Sequence, residues 1–364
     1  MMRAKKGTRV LVGMSGGVDS SVAASLLVKQ GYEVIGGFIK NWSDSRNAST
    51  GECTWKEDRR DAMRVAAMLN IPLVTFDFEK IFKSKVVEDL FSGYSSGLTP
   101  NPDVLCNEII KFGLFFEAAK KIKARFIATG HYARVKYNKS GEAVLLRGFD
   151  KNKDQSYFLY RISQKALSRT LFPVGHMNKK MVRQIAYKLG LSIAAKPDSQ
   201  GICFIGKISL GKFLRHRIKS KPGSIMDDQG TILGEHKGLD LYTIGQRQNI
   251  RVSREGHAWF VARKDYEKNS LTIVPSENHP LLFSKEISIS DLRWIAGHEP
   301  EFPSSCLVQV RYRQEPIAAT VFKNNINHDL KVLFKKPVKA CAPGQSAVIY
   351  KKNQCLGGGI IKNS

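Results

Sequence analysis

Three stretches of the chain place reactive side chains where a covalent reaction could be run. In Thr99-Pro100-Asn101-Pro102-Asp103-Val104-Leu105-Cys106-Asn107, two prolines fix a loop and deliver Asp103 and Cys106 together to one helix end. A rigid carboxylate beside a thiol is a candidate catalytic pair. A helix starting at or just after Cys106 would favour the thiolate, because free N–H groups and the helix dipole stabilise an anion. In Asp198-Ser199-Gln200-Gly201-Ile202-Cys203-Phe204-Ile205, the apolar neighbours of Cys203 suit a buried core thiol as well as a nucleophile. The third stretch, Gly13-Met14-Ser15-Gly16-Gly17-Val18-Asp19-Ser20-Ser21, reads as a phosphate cradle. Adjacent glycines let a phosphate approach the backbone, the serines donate, and the following helix presents its positive end. The loop has neither the lysine of the kinase-type P-loop nor the G-x-G-x-x-G spacing of a dinucleotide site. Asp19 reads either as a carboxylate assisting Mg²⁺ through water or as a helix N-cap.

The elements that must hold these stretches follow from the apolar pattern. Arg9 to Gly13, Glu33 to Ile39 and Leu73 to Phe76 read as strands, and Ser20 to Gln30 and about Lys56 to Leu69 as helices. This alternation predicts an α/β fold with a parallel sheet and helices on both faces. The first helix stops at Gly31. A further helix runs from Cys106 to Ala124 into the strand Phe126 to Thr129, and Leu171 to Leu189 has a helical pattern. Beyond Lys221 the pattern changes to short alternating runs, including Ser270 to Val274, Ser304 to Arg313, Ala318 to Phe322 and Ala347 to Tyr350. That half is expected to be all-β and to end in a small barrel.

Composition narrows the partner. The 364 residues carry 58 Lys and Arg against 32 Asp and Glu, a net charge of +26, which favours a polyanion through counterion release and steering. The charge is spread along the chain, with denser runs at Lys120 to Arg125 and Lys212 to Lys221, as suits a long folded RNA. No apolar run reaches the ~20 residues of a membrane span, so a cytoplasmic protein is expected. Six cysteines are too sparse for a disulfide framework, and none has the spacing of a zinc site, so no resident metal site is expected.

Ser15 to Ser20, SGGVDS, matches the signature of the ATP pyrophosphatase (PP-loop) enzymes. It is followed in order by TPNPDVLCN, ATGHYARV (Ala128 to Val135), KDQSYFL (Lys153 to Leu159), DSQGICFI and VRYRQ (Val310 to Gln314). This series closely resembles the tRNA-specific 2-thiouridylase family over nearly the whole chain. The resemblance implies a doubly wound parallel sheet of the adenine nucleotide alpha hydrolase type in residues 1–208, a central tRNA-binding domain in 209–282 and a C-terminal β-barrel in 283–364. The helical part at 170–191 is assigned to either of the first two.

The resemblance also implies roles. Gly13, Met14, Ser15, Gly16, Gly17, Val18, Asp19, Ser20, Ile39 and Gly130 would hold ATP with Mg²⁺; the family often has Met where this chain has Ile39. Asn101, Pro102 and Asp103 would meet a flipped uridine, with Asp103 as general acid or base. Cys106 would be nucleophile or resolving thiol, and Cys203 the persulfide carrier fed by a sulfur-relay donor protein. His131, Lys153, Asp154, Gln155, Arg311, Tyr312 and Gln345 would contact the tRNA, although His131 also reads as a cap on the sheet, and Arg311 and Tyr312 as surface strand residues. The expected protein is a monomer. Two other readings share some of these features: an adenylating ligase without cysteine chemistry, and an RNA-binding protein that keeps an old nucleotide fold.

Overall fold

The computed structural model describes residues 6–43, 53–198, 210–250, 252, 258–324 and 328–362. Its first sheet is parallel, in the order β3 (Leu73–Asp77), β2 (Glu33–Lys40), β1 (Arg9–Gly13), β4 (Phe126–Ala128) and β7 (Thr170–Leu171). Successive side chains of a strand point to opposite faces, and β1 shows the result. Val10 and Val12 join a core with helices α1 (Val18–Lys29) and α2 (Thr54–Met68), whereas Leu11 joins the opposite core with Phe112, Phe115 and Phe116. Helix α1 ends where the sequence places its stop: Gly31 has φ +82°. Its N–H reaches the Val28 carbonyl and that of Tyr32 the Leu27 carbonyl, the paired bonds of a glycine-terminated helix.

Two sequence-derived elements are corrected. The helical pattern over Leu171 to Leu189 splits into the edge strand β7, a connecting stretch and a helix at Lys179–Lys188, which packs through Val182 and Ala186 into the core holding α1. Its apolar spacing is helical, but β4 is open on that side and takes Thr170 and Leu171 as a parallel partner. The helix expected to start at Cys106 starts earlier, with Asn101 as N-cap and Pro102 in the first turn. It widens into a π-helix over Cys106–Leu114 and continues to Lys121. Proline is favoured at a first helical position because the missing N–H would be unpaired there in any case. Cys106 therefore sits in the second turn, away from the positive end.

Beyond the first domain, β10 (Phe260–Asp265), β11 (Ser270–Val274), β8 (Gly223–Met226) and β9 (Ile232–His236) form a four-stranded sheet. β12 (Phe283–Trp294), β15 (Leu330–Lys339), β14 (Ile317–Lys323), β13 (Ser304–Gln309), β16 (Ser346–Lys351) and β17 (Gln354–Ile361) pair in that order, and β17 pairs back with β12 to close a six-stranded barrel. Closure removes the free edges. The first domain reaches the barrel through the hairpin β5 (Ala133–Tyr137) and β6 (Ala143–Arg147), since Leu146 pairs with Gln354 of β17.

Phe115 joins the helix that follows Asn101 to the sheet. It is fully buried, meets Phe76 edge-on at 5.6 Å and fills the space beside Gly37. We expect Phe115→Ala to lower unfolding free energy by about 3–5 kcal/mol in a denaturant titration, the usual range for a buried aromatic.

Candidate active site

In an open α/β sheet, ligands bind outside the carboxyl ends of the strands where strand order reverses. Here the reversal lies between β1 and β4, with β1 flanked by β2 and β4. The loop after β1 is the SGGVDS cradle and the loop after β4 is Thr129 to Tyr132. Gly16 has φ +73°, and a side chain there would strike the backbone of Asp58. Gly130 allows the second loop to lie on the first, because a Cβ there would stand 2.6 Å from both Asp19 C and Ser20 N. The serines are oriented locally: the Ser15 N–H donates to Ser20 Oγ at 3.2 Å, and Ser20 and Ser21 hydroxyls donate to the Gly17 carbonyl. Met14 and Val18 face the core, and Ile39 is half-buried on β2 beside Phe76.

The N-cap of α1 is Gly17, so Asp19 is not the cap. Its Oδ1 accepts from the Tyr132 hydroxyl at 2.8 Å and from Lys179 Nζ at 2.6 Å. The same ammonium lies 2.7 Å from Asp198 Oδ1. Asp198 is further paired with Lys153 at 2.5 Å and Arg183 at 3.0 Å. Burial pushes the Asp198 carboxyl up, but hydrogen bonds from Lys153 and Lys179, with their charges, outweigh it and bring the pKa to about 2. Lys196 makes a second link, donating to the Gly16 carbonyl at 3.2 Å and to Asp58 and Asp61 at 2.8 and 2.7 Å. Tyr132, Lys179, Arg183, Lys196 and Asp198 were not singled out as site residues in the sequence. Lys179 and Lys196 are over 150 residues from the loop they meet, and no local spacing signals such a contact.

On the other side, Asn101 accepts the Val104 N–H, Pro102 is buried and Asp103 is half-buried on the first turn. Cys106 is 1% exposed, among Trp42, Phe82, Leu90 and Ile110. The same cluster takes Leu214 and Phe213 of the short helix Leu210–Arg215. Cys203 lies outside the described residues; Asp198, at the head of its motif, is held by the cations named above. Burial pushes the thiols of Cys306 and Cys341 up to about 12, which leaves them protonated and inert.

Most side chains expected to contact tRNA are engaged internally. Lys153 is paired with Asp198. Asp154 is buried, holds Arg147 at 2.7 Å and accepts the Gly148 and Ser156 N–H groups. Gln155 accepts the Tyr132 N–H, and Gln345 donates to the Thr99 carbonyl at 2.7 Å. His131 is buried between Phe112 and Phe172, with Nδ1 2.8 Å from Thr129 Oγ1, and burial together with the charge of Lys111 holds it neutral. Tyr312 lies against Phe158 at 4.5 Å, and only Arg311 of the set is exposed. Arg311 and Tyr312 follow the end of β13 in a turn rather than a strand. The physical reason is common to the group: polar side chains near a domain junction satisfy buried backbone and opposite charges first.

The arrangement was compared with known proteins. Residues 8–207 match the family model described as the tRNA methyl transferase HUP domain, 211–275 its PRC-barrel domain and 284–361 the aminomethyltransferase β-barrel domain. The tRNA-specific 2-thiouridylase MnmA of Alkaliphilus oremlandii is 46% identical over 363 residues, covering 99% of each chain. The chain belongs to the tRNA-specific 2-thiouridylase family. The member from Cupriavidus taiwanensis is 47% identical over 359 residues, covering 97% of this chain and 98% of that one. Among solved structures, a 4-thiouridine synthetase–RNA complex with bound ATP has 17% identity and a TM-score of 0.38, covering 55% of this chain and 45% of that chain.

Two outcomes follow from this geometry. Gly130→Ala should reduce ATP-dependent turnover by at least about tenfold, since its Cβ must displace the first turn of α1 or the loop itself, and small misplacements at a reacting centre are costly. Asp198, with a carboxyl ordinarily at 3.8 lowered to about 2, contributes stability that is full above its unfolded pKa and is lost as pH falls through the folded value. That contribution is about 2 kcal/mol. Asp198→Asn should therefore lower the urea midpoint at pH 7, and its deficit relative to wild type should shrink as the pH drops from about 4 towards about 2.

Proposed function

We propose that this chain is a tRNA 2-thiouridylase, which adenylates the 2-carbonyl of a wobble uridine and replaces its oxygen with sulfur. The observation that carries the reading is the joining of a phosphate cradle at the sheet's switch point to a fixed segment that leads into a cysteine motif. A methyl transfer, the reaction named in the family model's description, needs neither adenylation nor two cysteines.

A uracil carbonyl is a poor electrophile and oxide a poor leaving group. Attack of the carbonyl oxygen on the α-phosphorus of ATP releases pyrophosphate and converts that oxygen into part of an AMP leaving group. Asp103, on the first helical turn beside Asn101 and Pro102, would serve as general acid or base at the extruded base. The terminal sulfur of a Cys203 persulfide then forms the bond to C2, the C–O bond breaks and AMP departs with the oxygen. Cys106 attacks the Cys203 sulfur, which frees the thiocarbonyl and leaves a Cys106–Cys203 disulfide. In the alternative order Cys106 releases hydrosulfide first. In both, two electrons from an external thiol reopen the disulfide before the next turnover.

One carboxylate and the neighbouring serine hydroxyls form a sparse oxygen donor set, which fits an ion that keeps most of its water. Asp19 and Ser20 would hold Mg²⁺ there, and the bound ion would offset phosphate charge. Lys179 and Lys196 supply positive charge from the protein. The further reading includes a persulfide donor protein, a cytoplasmic monomer and the division at residues 208 and 282. Among the described residues no helix is long and apolar enough to cross a membrane.

The decisive assay supplies ATP, Mg²⁺, unmodified tRNA and a persulfide source, and measures 2-thiouridine by mass spectrometry alongside AMP. We expect 2-thiouridine with wild type and none with Cys106→Ser or Cys203→Ser. AMP without 2-thiouridine in wild type would point to another acceptor. With a net charge of +26, tRNA affinity should fall at least about tenfold between 50 and 200 mM salt, and a salt-independent affinity would count against the reading.

A further inference from the structure

The loop that carries Asn101 and Asp103 is not held by its own domain alone. Two residues shortly before Pro100, Gly97 and Thr99, have their backbone gripped from the other two domains. From the central domain, Lys264 on β10 donates to the Gly97 carbonyl at 2.8 Å and the Tyr242 carbonyl at 3.2 Å. The ring of Tyr266 lies so close to Gly97 that a Cβ there would stand 2.5 Å from it. The Thr243 hydroxyl lies 3.4 Å from that of Thr99. From the barrel, the Pro343 carbonyl accepts the Thr99 N–H at 2.8 Å, and Gln345 Nε2 donates to the Thr99 carbonyl at 2.7 Å. Between these two residues Gly344 lies flat on the loop, where a Cβ would be 2.6 Å from Thr99 N. Thr99 is only 7% exposed as a result.

These bonds use carbonyl and N–H groups, so they fix backbone position rather than identity. After Thr99 the chain has little freedom, because Pro100 and Pro102 restrict it and Asn101 is the N-cap of the catalytic helix. A displacement at Gly97 to Thr99 is therefore passed to Asn101 and Asp103 rather than absorbed.

We propose that Lys264 and Gln345 are positioning residues for the thiolation reaction, through which the central domain and the barrel set the pose of the loop that meets the target base. This rests on the function proposed above. It gives the two outer domains a task besides binding RNA, and it assigns Gln345 to the loop rather than to the tRNA. Burial lowers the Lys264 ammonium, against the opposing charge of Asp240, to a pKa of about 8, in keeping with a cation held in place for its hydrogen bonds.

The test uses the full-length protein with Lys264→Met, Lys264→Arg and Gln345→Ala. At saturating tRNA, single-turnover thiolation should fall at least about tenfold in Lys264→Met and Gln345→Ala, since small misplacements of reacting groups are costly, while tRNA Kd stays within about twofold. Lys264→Arg, which keeps a charged donor, should recover most of the rate. Hydrogen exchange on peptides spanning 96–104 gives a readout that does not depend on the reaction. The Thr99 amide should exchange faster in Gln345→Ala, whose single lost bond leaves the domain cores intact. A weakened Kd with unchanged saturating rate would make these residues plain RNA contacts and overturn the proposal. Unaltered exchange together with unaltered rate would also overturn it. Faster exchange with no thiolation even in wild type would retain the brace and reject the thiolation reading.

Discussion

The shared ammonium of Lys179 is the contact on which the rest of the site depends. It stands between Asp19, on the first turn after the phosphate cradle, and Asp198, the last described residue before the cysteine motif. Two carboxylates facing one another would repel, and a lysine held at 14% exposure without partners would be costly. Together with Lys153 and Arg183 they form a charge cluster in which each member makes the others tolerable. Breaking such a cluster at one member leaves an uncompensated charge, so its geometry is held tightly. One end of this cluster is the glycine- and serine-rich loop after β1 and the other is Asp198.

A second cluster extends the same logic to the barrel. Arg161, 6% exposed, lies 2.5 Å from Glu108 on the helix that follows Asn101 and 2.8 Å from Asp291 on β12. The hairpin β5–β6 adds two strands to the barrel's sheet, and Tyr157 donates to the Ser346 carbonyl at 2.9 Å inside that junction. That helix is thus fixed to the sheet by aromatic packing around Phe115 and to the barrel by ions and hydrogen bonds.

Many elements were legible in the residues because their physics is local. β1 and β11 fall where the apolar runs place them, and the stop of α1 at Gly31 follows from the left-handed conformation a helix end requires. The place of the glycine- and serine-rich loop between β1 and α1 was legible for the same reason. β7 was not legible: two residues acquire strand pairing only because β4 offers an open edge. The start of the catalytic helix was misplaced because Pro102 reads as a loop residue until Asn101 is seen to cap it.

The sequence by itself determined the fold class, the nucleotide loop, the two-cysteine motif set and the basic character that suits RNA, because each is written in neighbouring residues or in bulk composition. Only the tertiary structure decided which cations reach the cradle, that Lys153, Asp154, Gln155 and Gln345 spend their polar groups inside the protein, and that the loop before Asn101 is gripped by two other domains. A side-chain hydrogen bond or ion pair, whether its partners are 7 or 246 positions apart, leaves no periodic trace in the chain. It comes into being when packing excludes water from both partners and makes each the nearest remaining way to satisfy the other.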